Sequence, residues 1–263
     1  MLMATYHGES PNFLRDCLVS IQDQTLPPDE IVIVEDGPLG EELDNVIRQF
    51  WQLPIKLIRY EGKAKLGGAL RLGVEHCSYS IVARMDSDDI AVPHRLEKQL
   101  EFLQKSGADI IGAAIEEFDS TIGDLGNIRC GCAEVTTAIA SKANPLCHMT
   151  VMFKKQVVID CGNYISLEGF EDWYLWLRAL KRGALIMNQD DVLVHARTGN
   201  DFYKRRSGFT YFCNEIKALH TFYKHGLISK LNFIRGLCFR VPLRLLPQRV
   251  LSLIYMKFLR SHK

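Results

Sequence analysis

Short apolar runs alternate with segments of helical periodicity along the first half of the chain. The runs are rich in β-branched residues, which predicts strands, and they lie at 1–5, 30–37, 55–60 and 80–86. Ser10 and Pro11 fit the start of a helix in which apolar residues recur at helical spacing, with Pro27 and Pro28 as its predicted end. Further helices are predicted over 66–77 and from about residue 93.

This alternation over about the first 118 residues predicts an α/β fold with a mostly parallel sheet and flanking helices. In such sheets, ligands bind at the carboxyl ends of the strands. Tyr6, Asp36 and Asp86 all lie at the carboxyl ends of predicted strands. The 263 residues, 47% of them hydrophobic, suffice for one main domain with a tail.

Charge is divided unevenly along the chain. Ten of the 32 Lys and Arg residues, but none of the 31 Asp and Glu residues, lie in 216–263, so the first 215 residues carry a net charge of −9. Wound as a helix, 249–263 separates an apolar face from a cationic one, which predicts a basic amphipathic helix on an anionic membrane surface. The alternative is that this face packs on the acidic body or on another subunit. No apolar run near the end approaches the ~18–20 residues of a membrane-spanning helix.

The eight cysteines are scattered and lack the dense pairing of a small secreted scaffold. Cys130 and Cys132 are the one close pair, and no second Cys or His pair stands at zinc-finger spacing. We therefore expect ordinary thiols in a reducing, cytoplasmic setting.

The segment RMDSDD, 84–89, places Asp86, Asp88 and Asp89 directly after a predicted buried strand. Taken alone, such carboxylates more often cap a helix or close an Asx turn. Two carboxylates two residues apart can also aim at one hard cation, Mn²⁺ or Mg²⁺, that takes its other ligands from water and substrate phosphates. The chain has neither a P-loop nor a GxGxxG dinucleotide fingerprint, so neither explains phosphate binding.

Six segments together resemble the family 2 inverting glycosyltransferases of the GT-A fold, in particular bacterial enzymes that build O-antigen, capsule or exopolysaccharide. They are ATYHGE at 4–9, DCLVSIQDQTLPPDEIVIVEDGP at 16–38, ARMDSDD at 83–89, NPLCHMTVMFKK at 144–155, GFEDWYLWLRALKRG at 169–183 and YKRRSG at 203–208. Their order along about the whole chain makes the resemblance specific.

The resemblance implies a Rossmann-like GT-A domain over 1–208, with a nucleotide-binding half at 1–118 and an acceptor-binding half at 119–208. It leaves 209–263 as a helical extension that associates with the membrane. The residues implied to hold the nucleotide are Ala4, Thr5, Tyr6, Glu9, Glu35, Asp36, Lys65, Arg71, Asp86 and Ser87. Asp86 and Asp88 would bind the Mn²⁺ or Mg²⁺ ion, and Asp89 would serve the acceptor side or support the metal ligands.

One segment departs from the family pattern. Where the family usually reads something like NxGLGxALNxG, Lys63 and Lys65 replace the expected Asn and first Gly. The added positive charge suits a diphosphate, but the loop geometry does not carry over from the family.

The resemblance also implies a catalytic carboxylate. In an inverting displacement a base removes the proton of the attacking acceptor hydroxyl, and Asp172 is the implied base beside Glu171. The alternative is a purely structural role, in which both acids stabilise the first turn of a helix. Trp173 and Trp176 are predicted to form an apolar wall for a sugar ring.

Three further residues carry weaker expectations. His148 either touches the diphosphate or acceptor or is a satisfied core histidine. Arg205 and Arg206 either clamp a diphosphate or belong to a solvated basic loop.

The implied activity is transfer of a hexose, with UDP-glucose or UDP-galactose favoured, to a saccharide linked to a lipid diphosphate, forming a β linkage. The enzyme would lie at the inner face of the cytoplasmic membrane, with no nucleic-acid partner. A catalytically inactive, membrane-tethered sugar-nucleotide-binding protein is the alternative. A nucleotidyltransferase is disfavoured, because ATYHGE replaces the Gly-rich loop expected after its first strand.

Overall fold

The computed structural model describes residues 1–60, 62, 64–198, 207–246 and 261–262. Three parallel strands, in the spatial order β1-β2-β3, form the first part of the sheet. They are β1 Leu2–Thr5, β2 Ile31–Asp36 and β3 Ile55–Tyr60. The helices α1 Pro11–Gln22 and α2 Glu41–Gln49 make the crossovers, with Pro11 at the first turn of α1 as predicted.

The second part of the sheet is mixed. After α3 Lys65–His76 come β4 Ile81–Ala83, β5 Ile90–Ala91, α4 Arg95–Ser106, β6 Ile110–Phe118, β7 Asn127–Arg129, β8 Met152–Lys154 and β9 Ile186–Arg197. Strand β8 lies antiparallel between β4 and β6, and β9 runs parallel to β6. Strands β5 and β7 add antiparallel pairs to β9 and β6. Leu2 bridges Arg84, which joins the two parts of the sheet.

Further helices lie between and after these strands. They are α5 Thr137–Ala140, α6 Lys155–Asp160, α7 Glu171–Lys181, α8 Phe209–Lys224 and α9 Lys230–Arg235. A π-helical turn at Gly236–Arg240 and a 3₁₀ turn at Pro242–Leu245 follow α9. Part of α8 packs into the same apolar core as α7 and the first strands, so this region is attached to the body rather than separate from it.

The predicted α/β architecture is confirmed, and two boundaries differ from the prediction. Helix α1 ends at Gln22, before Pro27, because the Gln24 side chain and the Thr25 amide bond to the carbonyls of Val92 and Pro93 and turn the chain away. Strand β4 ends at Ala83, and Arg84 beyond it bridges Leu2 while its amide donates to the Val151 carbonyl at 2.8 Å. This turn delivers the acidic segment to the carboxyl edge of the parallel strands.

The predicted helix over 249–263 falls mostly outside the described residues, which omit 247–260 and Lys263. At the described end of this segment the prediction of a helix is wrong, because Ser261–His262 form β10, which pairs antiparallel with β7. The open edge of β7 offers backbone partners that a helix would not use. Within the residues that the structure describes, no helix is long and apolar enough to cross a membrane.

Candidate active site

Three carboxylates meet in the turn between β4 and β5. Oxygen atoms of Asp86, Asp88 and Asp89 lie within 4.8 Å of one another. Asp89 is buried, whereas Asp86 and Asp88 are partly exposed. Three hard oxygen donors this close repel one another unless a cation or a proton compensates them, so their chemistry fits a Mg²⁺ or Mn²⁺ ion.

Asp89 carries the clearest sign of that repulsion. Burial raises the pKa of Asp89 well above its ordinary value, and the neighbouring charges of Asp88 and Asp86 add to the rise. Its Oδ1 accepts a hydrogen bond from the Arg197 amide at 2.8 Å, while its Oδ2 is buried without a hydrogen-bond partner among the described residues. A buried acceptor of this kind is consistent with a site that closes around a cation.

Arg84 supplies a fixed positive charge beneath the cluster. Its guanidinium is buried and grips both carboxylate oxygens of Asp86, with Nη1 donating to Oδ2 at 2.7 Å and Nη2 to Oδ1. Two parallel hydrogen bonds fix the orientation of a carboxylate as well as its charge. Arg84 is therefore positioned to hold Asp86 at the edge of the sheet.

Arg197, the last residue of β9, holds the rest of the turn. Its Nε donates to the Asp88 carbonyl at 3.1 Å, and its Nη2 lies 3.3 Å from Asp16. The guanidinium lies between two rings, 3.9 Å from the centroid of Phe13 and 4.6 Å from that of Phe118. These contacts anchor the acidic turn to α1 and to β6.

The expected nucleotide residues gather near the carboxyl ends of β1 and β2. Glu9 accepts from the Ser87 hydroxyl at 2.6 Å, which ties the loop after β1 to the acidic turn. Asp36 accepts from the Ala64 amide at 2.5 Å, and the Tyr6 ring is 48% exposed beside this edge. A cavity of about 160 Å³ opens next to Glu9, between the loop after β1 and the start of α2.

Glu35 and Asp36 point to opposite sides, as successive strand residues do. Glu35 is buried, lies 3.5 Å from Arg59, and burial raises its pKa. Asp36 faces the start of α3 instead. In β1, Ala4 is partly buried and Thr5 is buried.

The two expected cations of α3 differ in position. Lys65 has a φ of 54°, and its Nζ lies 2.7 Å from Glu168, just before α7. Arg71 pairs with Glu75, one turn along the exposed face of α3, at 3.3 Å. This ion pair lies on the exposed surface of α3, and the contact of Arg71 with the nucleotide stays a prediction.

Glu171 and Asp172 occupy the first turn of α7 and are buried. Burial, together with the charge of Asp172, raises the pKa of Glu171 to about 7 although backbone amides at 169–171 oppose the rise. Asp172 accepts from the Asn144 amide at 2.6 Å through Oδ2 and from the Trp173 backbone amide at 2.7 Å through Oδ1. Asn144 thus sets the direction of the Asp172 carboxylate.

Tyr164 packs against His148 in the core. It is fully buried, and its hydroxyl lies 2.9 Å from Nε2 of His148. Burial raises the pKa of Tyr164, and the charges that act on it include those of Arg84, Asp172 and Asp86. His148 is held between Tyr164 and the Trp176 ring, and burial keeps its pKa well below the ordinary value. Neutral His148 therefore fits a packed partner of Tyr164 better than a cationic phosphate ligand.

The tryptophans do not form the predicted wall for a sugar. Trp173 and Trp176 are 1% and 0% exposed. Trp173 donates through Nε1 to the Ala140 carbonyl at 2.7 Å and packs edge-on against Phe222. Helix α7 is surrounded by other elements, so these rings fill the core. Arg205 and Arg206 lie outside the described residues.

Sequence reasoning missed four residues that organise the site. Arg84 has a local signal, since it stands two positions before Asp86 after an apolar run. Arg197 and Tyr164 have none, and Asn144 begins the segment NPLCHMTVMFKK without a signal for its partner, because each of the three reaches its partner only across the fold.

Comparison with known proteins agrees with this geometry. Residues 2–172 match the family model described as glycosyl transferase family 2. The chain is 38% identical to the Escherichia coli UDP-Gal:alpha-D-GlcNAc-diphosphoundecaprenol beta-1,3-galactosyltransferase, over 99% of this chain and 96% of that protein. It is 36% identical to the amylovoran biosynthesis glycosyltransferase AmsE of Erwinia amylovora, over 98% of this chain and 97% of that protein.

A solved structure shares the fold at low sequence identity. The mannosyltransferase PcManGT from Pyrobaculum calidifontis, in complex with GDP-Man and Mn²⁺, superposes with a TM-score of 0.68 at 15% identity, over 98% of this chain and 74% of that chain. The sheet order, the acidic turn after β4 and the family match over most of the chain agree with one another. The chain belongs to glycosyl transferase family 2.

Proposed function

We propose that this protein is a metal-dependent inverting glycosyltransferase that moves a hexose from a UDP-sugar to a saccharide carried on a lipid diphosphate. The observation that carries the proposal is the cluster of Asp86, Asp88 and Asp89, whose oxygen atoms lie within 4.8 Å of one another, in a chain whose residues 2–172 match the family model. The names of both bacterial relatives support a role in building surface polysaccharide.

UDP-galactose is the donor that the comparisons favour, ahead of UDP-glucose. The relative at 38% identity over 99% of this chain is named for transfer of galactose in a β-1,3 linkage to GlcNAc on diphosphoundecaprenol. An inverting reaction on an α-linked UDP-sugar forms a β linkage, so the proposed stereochemistry agrees with that name. The linkage position and the acceptor sugar are part of the same proposal.

The donor end would be held at the edge formed by β1, β2 and the acidic turn. Tyr6 offers an exposed ring face, and Asp36 has a carboxylate beside the start of α3. Glu9 and Ser87 hydrogen-bond across this edge and are assigned to the ribose side. Lys65, the first residue of α3, is proposed to contribute positive charge to the diphosphate, and buried Glu35 is proposed to support the strand.

Asp86 and Asp88 would hold the Mn²⁺ or Mg²⁺ ion, which supplies positive charge that stabilises the departing diphosphate. Arg84 keeps Asp86 in its orientation, and Arg197 holds the backbone of Asp88. Asp89 lies beneath both and completes the negative cluster.

Asp172 is the proposed base. The acceptor oxygen forms a bond to C1 of the sugar, the bond from C1 to the diphosphate oxygen breaks, UDP leaves, and the hydroxyl proton passes to Asp172. Asn144 fixes one oxygen of Asp172. Buried Glu171 lies next to Asp172, and its pKa of about 7 favours uptake of a proton by the pair of carboxylates near neutral pH. Glu171 would share the negative charge of the pair and could bind the acceptor proton in place of Asp172.

The remaining assignments concern organisation in the cell. We propose a nucleotide-binding half at 1–118, an acceptor-binding half at 119–208 and a membrane-associating extension at 209–263. The excess of Lys and Arg beyond residue 216 supports attachment at the inner face of the cytoplasmic membrane.

The test is release of UDP from a panel of UDP-sugars with a synthetic GlcNAc-diphosphate lipid, with Mn²⁺ or with EDTA. The proposal expects release from one donor, dependent on metal and lost in Asp172→Asn while UDP binding is retained. Tight UDP binding without turnover for every donor and acceptor would favour the inactive sugar-nucleotide-binding protein.

A further inference from the structure

A second cavity, of about 130 Å³, lies between the loop after α5 and the helical turns that follow α8. Its charged lining is cationic and consists of Lys142, Arg235 and Arg240, and none of the described lining residues is acidic. Ser141 and Asn232 contribute a hydroxyl and an amide, which hydrogen-bond to each other at 2.8 Å. Cations with neutral donors form a suitable lining for a phosphate group.

The three cations are not equivalent. Arg240 is part of the wall: it pairs with buried Glu215 at 2.9 Å, and its guanidinium lies 4.7 Å from the centroid of the Trp173 ring. Lys142 and Arg235 are exposed, and the described part of the chain contains no ion pair of either side chain. Their two charges are thus available to a ligand in the cavity.

The cavity lies close to the proposed base. The loop that contributes Ser141 and Lys142 to the cavity also contributes Asn144, which donates to Asp172 at 2.6 Å. Trp173, next to Asp172, contacts the wall of the cavity through Arg240. A ligand anchored here therefore lies close to the loop that holds Asp172, whereas the negative charge of the acidic turn after β4 opposes the binding of a second diphosphate there.

An apolar ridge borders the cavity. It consists of Leu231, Ile234 and Phe239, which are 66%, 45% and 72% exposed. Phe239 lines the cavity as well, and Lys230 and Arg235 stand beside the ridge along α9. The segment 216–246 contains no Asp or Glu, so every charged residue in the segment that carries the ridge is cationic or a histidine. Exposed apolar side chains among cations are typical of a surface that contacts anionic lipid.

We propose that Lys142 and Arg235 bind the diphosphate of the lipid-linked acceptor in this cavity, while the ridge rests on the bilayer that holds its lipid. The inference rests on the proposed function for the identity of the acceptor. It places the charged group of the acceptor beside the wall that Arg240 and Trp173 share, and it assigns the exposed ridge to the bilayer surface.

The kinetic test compares the double variant Lys142→Gln/Arg235→Gln with Arg48→Gln/Lys105→Gln, which removes one Arg and one Lys from exposed positions on α2 and α4. With GlcNAc-diphosphate lipid as acceptor, the cavity variant raises the acceptor KM by about tenfold or more, since each charged hydrogen bond contributes substantially. Its donor KM stays within about twofold of the wild type, because a site for acceptor alone changes only acceptor binding. An unchanged acceptor KM, or an equal rise in the control variant, overturns the assignment.

A binding test needs no turnover. Flotation is measured with phosphatidylcholine vesicles that contain a sugar-free polyprenyl diphosphate, and with vesicles of equal charge that contain phosphatidylglycerol. The wild type is expected to bind the diphosphate vesicles more strongly, the cavity variant to lose that preference, and Leu231→Gln/Ile234→Gln to bind both vesicles more weakly. Equal binding to both vesicle types by the wild type overturns the diphosphate site and leaves only a general anionic surface.

The two tests separate the inference from the proposed function. If the wild type transfers no sugar but its preference for diphosphate vesicles is lost in the cavity variant, the proposed enzyme fails and the binding site stands. If sugar is transferred and neither cavity residue alters the acceptor KM or vesicle binding, the enzyme stands and the site is wrong. Circular dichroism of each variant identifies any that fails to fold, and single substitutions then replace the double variant.

Discussion

Arg197 offers a sharp test of how the acidic turn is held. In Arg197→Met the stem is retained but the guanidinium is lost, together with its hydrogen bond to the Asp88 carbonyl at 3.1 Å. A charged hydrogen bond to a carbonyl contributes about 1.5–3 kcal/mol. The two ring contacts, at 3.9 and 4.6 Å, add about 0.5–1 kcal/mol each, and the pair with half-exposed Asp16 adds little.

The free energy of unfolding should therefore fall by about 3 kcal/mol, which corresponds to a Tm lower by about 6–10 °C for a chain of this size. Thermal unfolding followed by circular dichroism measures it. Arg48→Met is the matched control, because Arg48 is 67% exposed and lies 4.0 Å from Asp44, so its loss should leave the Tm nearly unchanged. Arg197→Lys keeps the positive charge but loses the planar guanidinium, so its Tm should lie between those of Arg197→Met and Arg48→Met.

The reasoning is refuted if Arg197→Met unfolds within about 2 °C of the wild type, since the contacts to Asp88 and the two rings would then contribute almost nothing. The same variant should raise the donor KM by about tenfold at a temperature where it is fully folded, because the backbone that carries Asp88 loses its support.

Three further predictions concern α7 and its surroundings. The pKa of Glu171 is raised to about 7 from an ordinary 4.5, so its protonated form stabilises the fold at low pH and this stability is lost as the pH rises through 7. Glu171→Gln has no proton to lose, so its free energy of unfolding, relative to that of the wild type, should increase by about 3 kcal/mol between pH 4.5 and pH 8. Urea titrations at the two pH values measure this difference. Asn144→Ala should lower kcat by about tenfold in the UDP-release assay and leave the donor KM unaltered, because only the orientation of Asp172 is disturbed; an unchanged kcat would remove Asn144 from the proposal. Trp173→Phe should cost about 2 kcal/mol of stability without changing the acceptor KM, whereas a selective rise in that KM would restore the sugar-wall interpretation.

Local pattern was sufficient for much of the fold. β-Branched runs and helical spacing predicted β1, β2, β3, α1 and α3 close to their observed bounds, because the apolar periodicity of each element is contained in its own short segment. The insertion of β8 antiparallel between β4 and β6 was not predictable, since its three residues carry no signal that names their partners. Short strands depend on pairing across the chain rather than on their own composition.

The candidate site divides in the same way. The sequence by itself determined the acidic turn, the Glu171–Asp172 pair and their resemblance to a glycosyltransferase family, because those residue types stand at fixed spacing in short segments. Only the tertiary structure decided what surrounds them: Asn144 reaches Asp172 across 28 positions and Arg197 reaches Asp89 across 108. Tertiary packing also buried Trp173 and opened the cationic cavity beside it. The partner of a buried charge is determined by distance in space and by desolvation, and both depend on the folded chain rather than on neighbouring residues in the sequence.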